Sequence, residues 1–197
     1  GATGSGKSTT VYSMLQLLNT PQTNIITVED PVEMKMKGLN QVQVMSEIGL
    51  DFNTTLRSIL RQDPNVIMIG EIRDDETARI AVRASITGHL VLSTIHTNNS
   101  LNTIERLLDM DVERYLLGSA LTAIISQRLC KKLCPKCRKS RPTTEYEKNL
   151  FKKVLNKDVP AIYDAVGCDE CFNGYKGRIA LHEVLLLNQD IRKDCSN

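Results

Sequence analysis

Three stretches of the chain are almost continuously apolar and rich in β-branched residues: NIITVED, NVIMIGEI and HLVLSTIH. Runs of this kind suit strands buried on both faces. Between them the spacing becomes that of helices. Residues 8–19 (STTVYSMLQLLN) place Val11, Met14, Leu15 and Leu18 on one face, and TTLRSILRQ precedes the second strand. Residues 75–88 (DETARIAVRASITG) join good helix formers to a stop at Gly88. After the third strand Ser100 is placed to cap LNTIERLLDM, and a longer helix is expected through RYLLGSALTAIISQRL. The closing EVLLLNQDIRKDCSN looks like the start of a further helical element. Alternation of strand and helix predicts an α/β fold, a mostly parallel sheet covered by helices.

Composition adds three points. The 197 residues hold one full domain with room for a smaller second one. With no Trp and 4% aromatics, the core must come mainly from Ile, Leu, Val and Met. No apolar run approaches the roughly 18 residues of a membrane helix, and the Gly-rich, polar start does not read as a signal peptide. The net charge of +2 hides a split: residues 1–127 carry 10 Lys/Arg against 14 Asp/Glu, whereas residues 128–157 carry 11 against two. The shift, at SQRLCKKLCPKCRKSRP, divides the chain into a core of residues 1–128 and a C-terminal region of residues 129–197.

The chain opens on GATGSGKSTT, in which Gly1, Gly6, Lys7 and Ser8 satisfy G-x-x-x-x-G-K-[ST] in full. The segment Gly1, Ala2, Thr3, Gly4, Ser5, Gly6, Lys7, Ser8 and Thr9 is therefore the candidate nucleotide-binding loop. Its glycines let backbone N–H groups turn inward around phosphates, Lys7 can reach the β- and γ-phosphates, and Ser8 can ligate Mg²⁺. The helix that follows points its positive end at the same anion. A chance glycine-rich turn would not be followed directly by an apolar-faced helix. Such a loop normally follows a buried strand, so the chain is expected to be a fragment lacking that strand. Expressed alone it should be poorly soluble or nearly inactive, and restoring upstream residues should rescue both.

In open α/β sheets ligands sit beyond the carboxyl ends of the strands. There the three apolar runs end in Glu29-Asp30, in Glu71 and in His96. Glu71 is the expected general base, orienting a water against the γ-phosphate. Glu29 is a second candidate for polarising water or holding metal, and His96 for sensing the γ-phosphate. Asp30, before Pro31, suits a turn. Position 70, where many phosphate-loop enzymes carry a Mg²⁺-binding Asp, is Gly, so metal contact falls to Ser8, to water or indirectly to Glu71. Seven strand residues rise about 23 Å, so His89 and His96 cannot share one phosphate, and His89 is assigned a structural or relay role. Arg57 and Arg73 are candidates for contacting phosphate from nearby helices.

Cys134-x-x-Cys137 and Cys168-x-x-Cys171 are two knuckles separated by 30 residues. Each thiolate pair can grip one edge of a tetrahedron, which predicts a structural zinc. Redox pairs would need a thioredoxin-like setting that neither has. Cys130 and Cys195 are expected to be ordinary thiols.

GATGSGKSTT, TVEDPVE, LRSILRQDPNVIMIGEIRD and TGHLVLSTIHTN, in this order, resemble the Walker A, Asp-box, Walker B and His-box segments of the bacterial type II secretion and type IV pilus-assembly ATPases. The resemblance covers essentially the whole chain. It implies a RecA-like P-loop core with a small C-terminal zinc-binding subdomain, using ATP, Mg²⁺ and Zn²⁺. It makes a Gly before the Walker B Glu normal. Asn99 stands where the family has an acid, which puts a salt bridge from that position in question. Assembly and export members carry the four cysteines and retraction members typically lack them, which favours an assembly or export motor. The resemblance further implies a homo-hexamer at the cytoplasmic face of the inner membrane, attached through partners and driving a platform protein there, with arginines donated to the phosphates by neighbours. The cargo stays open. The rival is a nucleic-acid motor such as a helicase, which the basic segment and zinc knuckle would suit. The acidic core and few aromatics speak against it, so no nucleic acid is expected as a partner.

Overall fold

The computed structural model describes residues 1–196, without the side chains of Cys195 and Ser196, so the expectation for Cys195 lies outside the described residues. Two compact units form. One comprises residues 1–128 and 182–197, the other Leu129–Leu181.

In the first unit, α1 (Lys7–Leu18) leads to β1 (Ile25–Glu29), the edge strand β2 (Asn40–Gln43), α2 (Phe52–Ile59), β3 (Val66–Ile69), α3 (Asp75–Ile86) and β4 (Leu90–Ser93). The four strands form one sheet in the order β2-β1-β3-β4, and every neighbour is parallel. β1 and β3 lie in the middle and are buried along their whole length, which is why their sequences are continuously apolar. The two-residue period of β1 divides its side chains between the faces. Ile26 and Val28 join Ile67 and Ile69 against α2 and α3, in a core with Leu56, Ile59 and Ala81. Ile25 joins Val66 and Met68 against Val11, Tyr12 and Leu15 of α1. Each such side chain, once buried, contributes roughly 1.5–3 kcal/mol. Asp51 and Asp74 cap α2 and α3, accepting from the backbone N–H of Thr54 (2.7 Å) and of Thr77 (2.8 Å).

α4 (Leu101–Asp109) and α5 (Arg114–Ala120) pack on α3 through Ala78, Val82, Leu107 and Leu117. The expected cap by Ser100 is replaced. Its hydroxyl is drawn to Glu183, and Asn99 caps instead, its side-chain oxygen 2.8 Å from the Asn102 N–H. The long helix expected through RYLLGSALTAIISQRL stops at Ala120, and the chain continues as β5 (Ala123–Leu133). There Ile124 and Ser126 are buried while Ala123 and Ile125 are exposed, a two-residue period.

After β6 (Lys139–Pro142), α6 (Glu145–Leu155) and β7 (Ala161–Asp164), the strand β8 (Tyr175–Leu186) pairs with β5 and α7 (Gln189–Ser196) ends the described chain. The stretch from 182 onward, grouped by sequence with the cysteine region, belongs to the first unit. Within that unit Arg192 on α7 donates to the carbonyls of Leu187 (2.9 Å) and Gly118 (2.6 Å). In the second unit β6 and β7 are antiparallel, and α6 starts on a Thr144–Glu147 capping box. The Arg141 fork grips Glu147 at 2.8 and 2.7 Å and holds its carboxyl at about 2.

Candidate functional site

The loop before α1 has the backbone its glycines predict. Gly4 and Gly6 sit at φ 74° and 87°, the left-handed region that side chains resist. Ala2, Thr3 and Gly4 are exposed, while Gly1 and Ser5 are buried. Helix α1 starts at Lys7, so its unpaired N–H groups and positive end face the loop's concavity. The Lys7 ammonium folds back onto the carbonyls of Gly1 (2.8 Å) and Ala2 (3.0 Å). Burial lowers its pKa from the usual lysine value, and the negative field of Glu71 opposes that shift.

Glu71 leaves the carboxyl end of β3 with its side chain only 16% exposed. One oxygen pairs with Arg73, and the other lies 3.3 Å from His96 Nε2, beyond the end of β4. The structure thus brings together Glu71, Arg73 and His96. It separates His89, whose Nδ1 lies 3.0 Å from the Ala84 carbonyl before the start of β4. Arg57 pairs instead with Glu76, at 2.7 Å. Gly70 lies close against β1: a Cβ there would stand 3.3 Å from both Glu29 Cα and the Val28 carbonyl oxygen, so a side chain at this position would ask the backbone to shift by a few tenths of an ångström.

Glu29 is not a mouth residue. It is 3% exposed, and its period on β1 turns it toward α1. One oxygen accepts from Thr27 (2.5 Å) and Gln41 (3.2 Å), the other from the Tyr12 hydroxyl. Burial, and then the bond to Glu29, push the Tyr12 phenol up to about 12. This arrangement favours an anchor between α1 and the sheet over water activation, contrary to the sequence-based expectation. Tyr12→Phe should destabilise the protein by about 1–3 kcal/mol by removing a donor from a buried carboxylate, measured as a shift in the denaturant midpoint at unchanged slope. A change under a few tenths would remove the anchor role.

The sequence pattern missed Glu33. It follows the cis Asp30–Pro31 peptide beyond β1, and its Oε1 accepts from Ser8 Oγ at 3.0 Å. Ser8 and Glu33 together are an all-oxygen pair of the sort a hard divalent cation prefers. The signal was present in TVEDPVE, a second carboxylate just past a strand end, but nothing in the spacing says which carboxylate faces the loop. A cavity of about 530 Å³ opens beside the loop, lined by Ala2, Thr3, His96, Thr97, Asn102 and Arg106 among others.

In the second unit Cys134, Cys137, Cys168 and Cys171 converge, all four Sγ atoms within 4.8 Å of one another. Three of the separations are 4.0 Å (Cys134–Cys168), 3.7 Å (Cys137–Cys171) and 3.7 Å (Cys168–Cys171). Four sulfurs at about 2.3 Å from a tetrahedral zinc stand about 3.8 Å apart, so the donor set fits. The Lys136 backbone N–H, the largest influence, lowers the Cys134 thiol to about 7, whereas Cys137 and Cys168 are shifted upward in the same cluster. Gly167 N–H points at Cys137 Sγ from 3.3 Å. Cys130 is a free, exposed thiol. Part of the basic charge is matched within the unit: Lys136 and Lys176 pair with Glu170, Arg141 with Glu147 and Asp164, and Lys148 with Glu145.

Residues 1–197 match a protein-family profile described as type II/IV secretion system protein. The chain is 48% identical over 194 residues to the type II secretion system protein E of Aeromonas hydrophila, covering 98% of this chain and 38% of that one. It is 49% identical to the type IV pilus assembly ATPase PilB of Myxococcus xanthus, covering 94% of this chain and 33% of that one. Among solved structures, the pilus retraction motor PilT with bound ADP superposes with a TM-score of 0.72 at 35% identity, covering 100% of this chain and 48% of that one. The chain spans less than half the length of these relatives.

Proposed function

The chain belongs to the type II/IV secretion system protein family, and we propose that it carries the ATP-hydrolysing centre of a motor for type IV pilus assembly or type II protein secretion. The observation that carries this reading is the left-handed glycine loop that opens a helix, with the Lys7 ammonium folded onto the loop's own carbonyls. In the proposed reaction water attacks the γ-phosphorus of ATP, the bond to the β-phosphate oxygen breaks, and ADP and phosphate leave. The loop N–H groups and the start of α1 bind the phosphates. Lys7 exchanges the Gly1 and Ala2 carbonyls for phosphate oxygens. Glu71 takes the water's proton, and His96 and Arg73 fix the direction of its carboxylate. Ser8 and Glu33 would hold Mg²⁺, which neutralises charge on the phosphates when bound.

Greater identity to the PilB and protein E relatives than to the retraction motor supports an assembly or export role. The four-cysteine cluster, proposed as a structural Zn²⁺ site of the second unit, points the same way. A homo-hexamer working at the cytoplasmic face of the inner membrane, on a platform protein there, completes the reading. No helix among the described residues is long and apolar enough to cross a membrane.

Lys7→Ala in the full-length protein is the direct test. Binding of a fluorescent ADP and phosphate release from ATP are measured together. Loss of both, by about a hundredfold or more, is expected when the phosphates lose their point charge and its hydrogen bonds. Unchanged binding would overturn the assignment of the loop.

A further inference from the structure

The phosphate loop is bolted from beneath by one side chain that lies far away in sequence. Gln127, on β5, is 5% exposed. Its amide N–H donates to the Ser5 carbonyl at 2.7 Å, across 122 residues of chain. Its amide oxygen accepts from the Thr10 hydroxyl at 2.7 Å, in the first turns of α1. The same oxygen lies 3.1 Å from His182 Nε2, on β8. The roles are fixed by the partners: a carbonyl can only accept, so the amide nitrogen must face Ser5 and the oxygen must face Thr10 and His182. An acceptor oxygen in turn calls for the His182 tautomer that carries its proton on Nε2.

Two further facts show how tightly this joint is closed. A Cβ added to Gly1 would stand 2.8 Å from Ser5 Oγ and 3.0 Å from the Gln127 carbonyl oxygen, so the start of the loop rests on the Gln127 backbone. Ser5 Oγ is buried with no hydrogen-bond partner among the described residues. Ser5 is therefore gripped through its carbonyl, and the group that grips it is the Gln127 amide.

We infer that Gln127 is a positioning residue for the phosphate loop, and that His182 fixes which way its amide faces. One planar amide ties the middle of the loop, at Ser5, to the helix it opens, at Thr10. It sets the angle between them, and that angle aims the loop N–H groups and the Lys7 stem at the phosphates. Without the amide donor, Ser5 could turn its carbonyl toward the cavity where an anion must sit, and a carbonyl oxygen there repels phosphate. The cost falls on nucleotide affinity. Glu71 and His96, on other strands, keep their geometry, so the chemical step is spared.

The inference rests on the loop being an ATP cradle, and the test separates the two. Gln127→Met keeps the length of the side chain and removes all three polar contacts. Gln127→Glu keeps acceptors for Thr10 and His182 and replaces the donor to Ser5 by an oxygen. His182→Ala removes the orienting donor, and His182→Gln restores an N–H at the same reach. Each is made in the full-length protein, with Lys7→Ala as the reference. The readouts are the Kd of a fluorescent ADP, KM and kcat for MgATP, and melting temperature without nucleotide. Both Gln127 variants should raise Kd and KM about tenfold, as expected for lost or misdirected polar contacts, with kcat within about twofold. The nucleotide-free melting temperature should fall as well, because the partners of a buried amide are left unpaired, so the constants are compared at a temperature where every variant is folded. His182→Ala should shift the same constants in the same direction, and His182→Gln should recover them. Wild-type Kd in the Gln127 variants, with Lys7→Ala defective, would sink the inference and leave the loop assignment standing. Normal binding by Lys7→Ala would remove both. A fall in kcat at unchanged KM would also overturn it. Should the Gln127 variants prove insoluble, the His182 pair decides by the same criteria.

Discussion

Glu71→Gln should bind ATP within a few-fold of the wild-type affinity and lose turnover by a factor of about 10²–10⁴, the range a positioned general base contributes. The substitution preserves the shape of a side chain that is only 16% exposed, so the end of β3 should not rearrange. What changes is basicity. A carboxylate with one oxygen toward Arg73 and the other toward His96 can accept a proton from water; a neutral amide cannot. The amide also offers one acceptor where two donors converge, so it misdirects His96 or Arg73 as well. Phosphate release and fluorescent-nucleotide binding, measured on the same preparation, separate the two effects. Turnover near the wild-type rate would remove Glu71 from the base role. The competing carboxylate makes a useful contrast. Glu29 lies behind Tyr12, Thr27 and Gln41, so Glu29→Gln should appear first as lost stability.

Much of this centre could be read in the chain, and the parts that could not share a physical cause. β1 and β3 are central, and full burial on both faces writes itself as an unbroken apolar run. The glycine loop is legible because left-handed backbone at Gly4 and Gly6 admits few other residues. β2, with the sequence NQVQ, was invisible: an edge strand half open to water needs no apolar signature, and its ladder with β1 is what makes it a strand. The misassigned stretch at β5 shows two periods in conflict. Leu116, Leu117 and Ala120 continue a helical spacing, but Ile124 and Ser126 alternate with exposed neighbours, and pairing with β8 decided the outcome. Glu29 was placed correctly at a strand end, yet the face it turns to depends on which side α1 packs. Glu33, Gln127 and His182 reach the loop from three separate places in the chain, and no local pattern encodes such a meeting.

The second unit should be unable to stay folded without its metal. Within Leu129–Leu181 the buried residues are Cys134, Thr143 and Gly174, so the unit has almost no apolar core of its own. Its local bonds, such as the half-buried Arg141–Glu147 fork and the β6–β7 ladder, tie neighbouring elements and supply no apolar core. Beside the β5–β8 pairing, its two ends are joined by the cysteine cluster, where the knuckle at Cys134 and Cys137 meets the one at Cys168 and Cys171. The Cys134 N–H bond to the Gly174 carbonyl, at 2.8 Å, fixes their approach. Structural zinc supplies about 10–16 kcal/mol to small domains of this kind, more than a unit with three buried residues can replace. Protein purified without chelator should contain one zinc per chain by elemental analysis. Cys134→Ser and Cys171→Ser should each lose it and should open residues 129–181 to protease, while the first unit, with its own three-part core, resists. Cys130→Ser, which changes an exposed thiol outside the cluster, should keep both metal and protection. Absence of stoichiometric zinc, or a Cys134→Ser protein as protease-resistant as the parent, would show that this unit is held together by something other than a metal.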